Sequence, residues 1–110
     1  MVKLIGLLKR KDGITQEEFS QYWEEKHAPL IVKLFPEMKR YVQNHAVKLP
    51  GGGEPPFDGV SEVWYDDLQS CQTAAKFWQS DEGKVIRDDE EKFIDRSKMV
   101  FLVAEEKVIK

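Results

Sequence analysis

The sequence predicts an α+β fold of the ferredoxin-like βαββαβ type, a four-stranded antiparallel sheet with helices on it. Three observations lead there. Four short segments have strand character, at Val2–Leu8, 39–47, Gly59–Tyr65 and 99–104. Helical periodicity fills the intervals between the first and second and between the third and fourth. A chain of 110 residues, 41% hydrophobic and 34% charged, has room for one core, so residues 1–110 are expected to form a single domain.

Val2–Leu8 is apolar in both directions, with Leu4 and Leu8 on one face and Ile5 and Leu7 on the other, as a strand covered on both sides requires. Asp12-Gly13 makes a turn, and Thr15 with Glu18 three positions on forms a capping box that starts a helix at about Gln16. Phe19, Tyr22, Trp23, His27 and Leu30 recur at helical spacing. Pro29 has no N–H for the carbonyl of Glu25, so this helix is expected to end or kink near His27 and Ala28.

In the second strand Tyr41, Gln43, His45 and Val47 alternate against Arg40, Val42, Asn44 and Ala46. A loop rich in glycine and proline follows, from Lys48 to Asp58; its eleven residues exceed what a hairpin needs, and it is expected to form a flap over a pocket mouth. The third strand sets Val60, Glu62 and Trp64 against Ser61, Val63 and Tyr65. Asp67 caps a helix bearing Leu68, Cys71, Ala74, Ala75 and Trp78, and Ser80 caps a second segment that continues through Val85, Ile86 and Phe93. The last strand is again apolar on both faces.

Two helical segments cover only one face of such a sheet. An open apolar face exceeds what a monomer tolerates, so a symmetric homodimer packed sheet to sheet is expected. The net charge is −3 and the pI about 5.4, which argues against duplex nucleic acid as the partner. Acidic side chains concentrate in the second half: residues 1–50 carry nine basic and six acidic groups, residues 51–110 eight and fourteen. One cysteine, Cys71, excludes an intrachain disulfide and suits a reducing cytoplasm. The N-terminal apolar run is too short for a signal peptide or a membrane span, and no partner membrane is expected.

Among the residues able to carry chemistry, His27 stands out. It lies on the apolar stripe of its helix, where an imidazole needs a reason: it either moves a proton, or is structural, bonding a strand carbonyl or closing the helix end. Tyr41 and His45 share a strand face and suit the orientation of a ligand oxygen, while Asn44 offers an amide on the other face. Trp23, Tyr22 and Trp64 line an aromatic ligand pocket or belong to the core. Asp58 suits a turn. The triple glycine 51–53 lacks the Lys-Ser/Thr of a phosphate loop, and no local metal-binding pattern accompanies the two histidines, so neither a metal nor another cofactor is expected.

The runs KLIGLLKRKDGITQEEFSQYWEEKHAPL, RYVQNHAV, GGGEPPFDGVSEVWYDD, SDEG and FID resemble the EthD-domain proteins of the dimeric α/β-barrel superfamily. The resemblance covers nearly the whole chain. It implies a homodimer in which two sheets close a barrel, but it implies chemistry weakly, since relatives in the wider superfamily include muconolactone isomerases, polyketide cyclases, cofactor-free monooxygenases and haem-processing enzymes. The histidine of the YWxxxHAP segment, here His27, is an active-site residue in methylmuconolactone methylisomerase-like relatives, and Tyr41 matches a tyrosine there. Their catalytic cysteines have no counterpart, because Cys71 falls on a helix; the first-strand asparagine of haem-degrading relatives is also missing.

The expected function is therefore EthD-like work on a small hydrophobic oxygenated compound in catabolism. As an enzyme the protein would be a cofactor-independent isomerase, cyclase or dehydratase, with His27 moving a proton and Tyr41 polarising the substrate oxygen, or else a cofactor-free monooxygenase. The alternative is a non-catalytic accessory or ligand-binding protein of a degradation pathway.

Overall fold

The computed structural model describes all residues, Met1–Lys110. Its elements follow the expected order: β1 (Val2–Leu8), α1 (Gln16–Tyr22), a π-helical turn (Trp23–His27), α2 (Ala28–Leu34), β2 (Arg40–His45), β3 (Gly59–Tyr65), α3 (Leu68–Gln79), α4 (Lys84–Glu90) and β4 (Val100–Glu105). The strands form one antiparallel sheet in the order β2-β3-β1-β4. The fold is ferredoxin-like α+β, as the sequence predicts. No helix is long and apolar enough to cross a membrane.

Pro29 does not end the first helix. The hydrogen-bond ladder widens by one residue instead, so that the Ala28 N–H donates to the Trp23 carbonyl five positions back, and the helix resumes as α2 with proline in its first turn. Proline fits there because it has no N–H to leave unpaired where the ladder changes its spacing. The kink is thus a π-turn, a geometry that recurs at functional sites. The capping box is present in full: Thr15 Oγ1 accepts from the Glu18 N–H, and the Glu18 carboxylate accepts from the Thr15 N–H. Gly13 takes the positive φ (+93°) that its turn demands.

Strand register decides which side chains meet. On the helix-covered face Leu4 lies beside Val63, and Val63 beside Tyr41; in the next row Phe101, Gly6, Ser61 and Gln43 stand side by side; then come Leu8, Gly59 and His45. Gly59 leaves room for the Trp23 indole, since a Cβ there would meet its Cζ3 at 2.5 Å. Gly6 does the same for Phe101, whose Cε1 would be 2.7 Å from such a Cβ. Two buried clusters result, one of Leu8, Phe19, Trp23, Phe93 and Ile94, the other of Val63, Tyr65 and Cys71.

The opposite face carries Ile5, Leu7, Val60 and Leu102, and no helix of this chain covers it. Leu102 and Val100 are each 46% exposed. The same face carries a polar patch in which Lys3 pairs with Glu62 at 2.8 Å, and Trp64 lies between Lys3 and Arg40. Leu68 and Val85 are about half exposed, while α3 turns Cys71 inward and α4 turns Ile86 inward.

Candidate functional site

A cavity of about 280 Å³ lies between the helices and the inner sheet face. Its walls are mostly apolar, with Leu4, Leu8, Ile31 and Val63 among them. The small residues Gly6 and Ser61 in the middle of the sheet keep its floor low, and Phe101, 44% exposed on the edge strand, stands at its rim. Polar chemistry enters at a few points only.

His27 is the first. The π-turn holds it on the cavity wall, 4% exposed, with its ring against Phe93. Nδ1 lies 2.7 Å from Asp89 Oδ2, and the Tyr22 hydroxyl donates to the other carboxylate oxygen of Asp89 at 2.5 Å. Asp89 accepts from both, so it holds the proton of a neutral imidazole on Nδ1 and leaves Nε2 with a lone pair and no protein partner. Burial pushes the His27 pKa below its ordinary value, and Asp89 pulls it back in part. Neutral imidazole is the form able to accept a proton. Tyr22 is raised to about 12 by burial and by its bond to Asp89, so it stays a donor at any ordinary pH.

Tyr41 is the second. Gln43 Nε2 donates to the Trp23 carbonyl at 3.1 Å and to the Tyr41 hydroxyl oxygen at 2.9 Å. A carbonyl only accepts, so the amide orientation is set, and Gln43 Oε1 must accept from His45 Nε2 at 2.9 Å. The Tyr41 oxygen therefore receives a bond from Gln43 and keeps its own proton to donate at the cavity wall. Burial raises the Tyr41 pKa, with the Gln43 and Trp23 side chains opposing.

The third point is Glu90 at the end of α4. It is 6% exposed, and both its oxygens accept from the Trp78 indole N–H, at 3.1 and 3.2 Å. Burial pushes its pKa up to about 7. The sequence pattern did not single out Asp89 or Glu90, since both sit in an acidic run that looks like a solvated helix face. The signal was the pair of inward residues flanking them, Ile86 and Phe93.

The other candidates are distributed differently. Trp23 lines the cavity; Tyr22 does not, and is linked to His27 on its wall by way of Asp89. His45 packs on the Trp23 ring, 4.7 Å between centroids, and acts on Tyr41 through Gln43 rather than lining the cavity. Asn44 and Trp64 lie on the opposite sheet face, where strand alternation puts them; Asn44 donates to Glu62 and to the Val60 carbonyl. No residue of the 48–58 loop lines the cavity, so the expected flap is absent: Asp58 is fully buried and tied to Arg10 at 2.8 Å by backbone and guanidinium, which pins the end of the loop. No three His, Cys, Asp or Glu side chains converge in a way that would hold a metal ion. Cys71 is buried on α3, and burial raises its thiol pKa.

No curated protein matches the chain. A family model described as the EthD domain matches residues 11–97. The crystal structure of an ethyl tert-butyl ether d (EthD) family protein from Bacillus halodurans is 31% identical, covers 97% of this chain and 99% of its own, and superposes with a TM-score of 0.72. An EthD-like protein from Ralstonia eutropha, 17% identical over 99% of this chain and 94% of its own, also has a TM-score of 0.72. A hydroxynitrile lyase from Passiflora edulis shares the fold at 15% identity, 99% and 96% coverage and a TM-score of 0.67. On the family match and the Bacillus relative together, this chain belongs to the EthD domain family.

Proposed function

We propose that this protein is a cofactor-independent acid–base enzyme of the isomerase, cyclase or dehydratase class, acting on a small hydrophobic oxygenated compound in a catabolic setting in the cytoplasm. The observation that carries the reading is His27: Nδ1 is held by Asp89 at 2.7 Å, and the unpartnered Nε2 belongs to an imidazole on an apolar cavity wall. A base so oriented accepts a proton from a ligand C–H bond, and the Tyr41 hydroxyl supplies a hydrogen bond to the oxygen on which charge develops. Trp23 supplies apolar contact. The hydroxynitrile lyase with this fold supports catalysis as a use of the architecture.

The working unit in this proposal is a homodimer of one EthD-like domain per chain, packed through the sheet face that carries Ile5, Leu7, Val60 and Leu102. That face is apolar and uncovered in the single chain. Two relatives with this fold, from Bacteroides fragilis and Thermobifida fusca, are dimeric, which supports the reading. Light scattering of the purified protein tests it, and a monomer at micromolar concentration rejects it.

The test of function is deuterium incorporation into acetophenone in heavy water, followed by NMR, since enolisation needs only base and oxygen donor. The protein is expected to accelerate exchange. His27→Gln is expected to keep fold and binding while lowering the rate by ~10²–10⁴-fold. Binding with no exchange would instead make the protein a ligand carrier, and a His27→Gln variant that merely melts would return the histidine to the core.

A further inference from the structure

We infer that Glu90 is a second proton-transfer group of the same cavity, donating to the oxygen of an uncharged ligand while His27 takes the neighbouring C–H proton. The inference rests on the acid–base reading of His27 and names what that site accepts. No lysine or arginine lines the cavity. A carboxylate or phosphate would therefore enter an apolar space with no lysine or arginine in its wall and with Glu90 there instead, which burial of an unpaired charge makes unfavourable. The ligand class that fits is a neutral ketone, enone or lactone.

Glu90 is built to hold a proton and to release it. In the structure its oxygens share one donor, the Trp78 N–H, so one oxygen retains capacity for a proton of its own. Arg96 Nε stands 3.6 Å from Glu90 Oε1, beyond hydrogen-bond reach, and is the one buried side-chain nitrogen or oxygen in the protein left without a partner. The Arg96 guanidinium stacks on Trp78 and bonds Glu91 at 3.1 Å through Nη1. A small shift closes Nε onto Glu90 once the carboxylate forms, which gives the ionised state a waiting partner. The surrounding charges divide: Arg96 and Arg87 favour ionisation and Asp89 opposes it, while burial is the largest influence and holds the group near half-protonation at neutral pH.

The step balances as an enolisation. The C–H electron pair forms the C=C bond as the proton passes to His27 Nε2; the carbonyl π pair moves to oxygen, which takes the Glu90 proton. The products are a neutral enol, an imidazolium and a carboxylate. Return of a proton to a different carbon is isomerisation.

The Trp78 indole N–H resonance tests Glu90 directly, because Trp78 donates to it. That signal is expected to titrate with a midpoint near 7 and to become flat in Glu90→Gln; a flat signal in the unaltered protein between about pH 5.5 and 8.5 overturns the inference, with or without a ligand. Acetophenone is expected to bind and to raise the midpoint, and benzoate to fail to bind above it; benzoate binding as well as acetophenone overturns the ligand class. Glu90→Gln is expected to bind acetophenone but exchange its methyl protons at least ~10-fold more slowly. Equal rates in Glu90→Gln alongside a slow His27→Gln reject Glu90 and leave the His27 reading standing. A fast His27→Gln rejects that reading itself, while the Trp78 titration still reports on Glu90.

Discussion

His27 Nδ1 and Asp89 Oδ2 are 2.7 Å apart although 62 positions separate them in the chain. This bond joins the π-turn to α4 and orients the His27 ring, as the proposed role of a base requires. Tyr22, one turn back along the first helix, completes the arrangement on the second oxygen of Asp89.

Asp89→Asn is accordingly expected to do two separable things. The amide keeps one accepting oxygen and makes the other position an N–H donor, so His27 and Tyr22 compete for a single acceptor and the His27 tautomer is no longer fixed; ketone exchange should fall by ~10–10²-fold even in folded protein. The change also leaves one of the two donors facing an amide N–H instead of an acceptor, a loss of about 1–3 kcal/mol in a urea melt. Because Asp89 raises the His27 pKa, its loss should move the His27 titration lower still, as read from the imidazole carbon resonances.

Stability should depend on pH with opposite signs at two residues. Glu90 is raised from 4.5 to about 7, so the folded protein keeps a proton that the unfolded chain releases; its stabilising contribution is complete below about 4.5 and lost as pH rises through 7. Glu90→Gln should therefore gain on the unaltered protein by about 3 kcal/mol between those limits and stay level above them. His27 is lowered below 6.5, so the unfolded chain takes up the proton first and stability is lost as pH falls. His27→Gln should remove that acid-side loss. Urea melts across the range check both.

Glycine substitutions should separate the core from the cavity rim. Gly59→Ala sets a methyl group 2.5 Å from the fully buried Trp23 ring, which has no room to withdraw, and should cost about 1–3 kcal/mol. Gly6→Ala meets Ser61 Oγ at 2.6 Å and the Phe101 ring at 2.7 Å. Phe101 is half exposed and able to turn away, so stability should change less while ligand affinity changes more. Thermal melts and a ligand titration on the two variants distinguish these outcomes.

Tyr41→Phe should leave the fold in place and weaken ketone binding about 10-fold, the worth of one hydrogen bond from an oriented donor. Gln43→Leu should produce part of the same loss without touching the ligand, because Gln43 is what turns the phenol proton outward. Equal binding by both variants and the unaltered protein would remove Tyr41 from the site.

Local signals were enough for the elements. The two-sided apolar run Val2–Leu8, the alternation in Gly59–Tyr65, the Thr15–Glu18 capping box and the Asp67 and Ser80 caps depend on residues within one or two turns of each other, and the strands and helix starts lie where those signals put them. Pro29 was legible as a disturbance but not as a π-turn, because a proline removes one donor without specifying how the ladder closes around it. The side on which Tyr41, rather than Asn44, meets the cavity follows from which face the helices cover, and strand periodicity alone is symmetric between the two. Asp89 and Glu90 were hidden for the same kind of reason. In sequence they are two acids among several; only the packing of α4 under Trp78 and beside His27 takes them out of water, and burial together with partners far along the chain changes what a carboxyl group does.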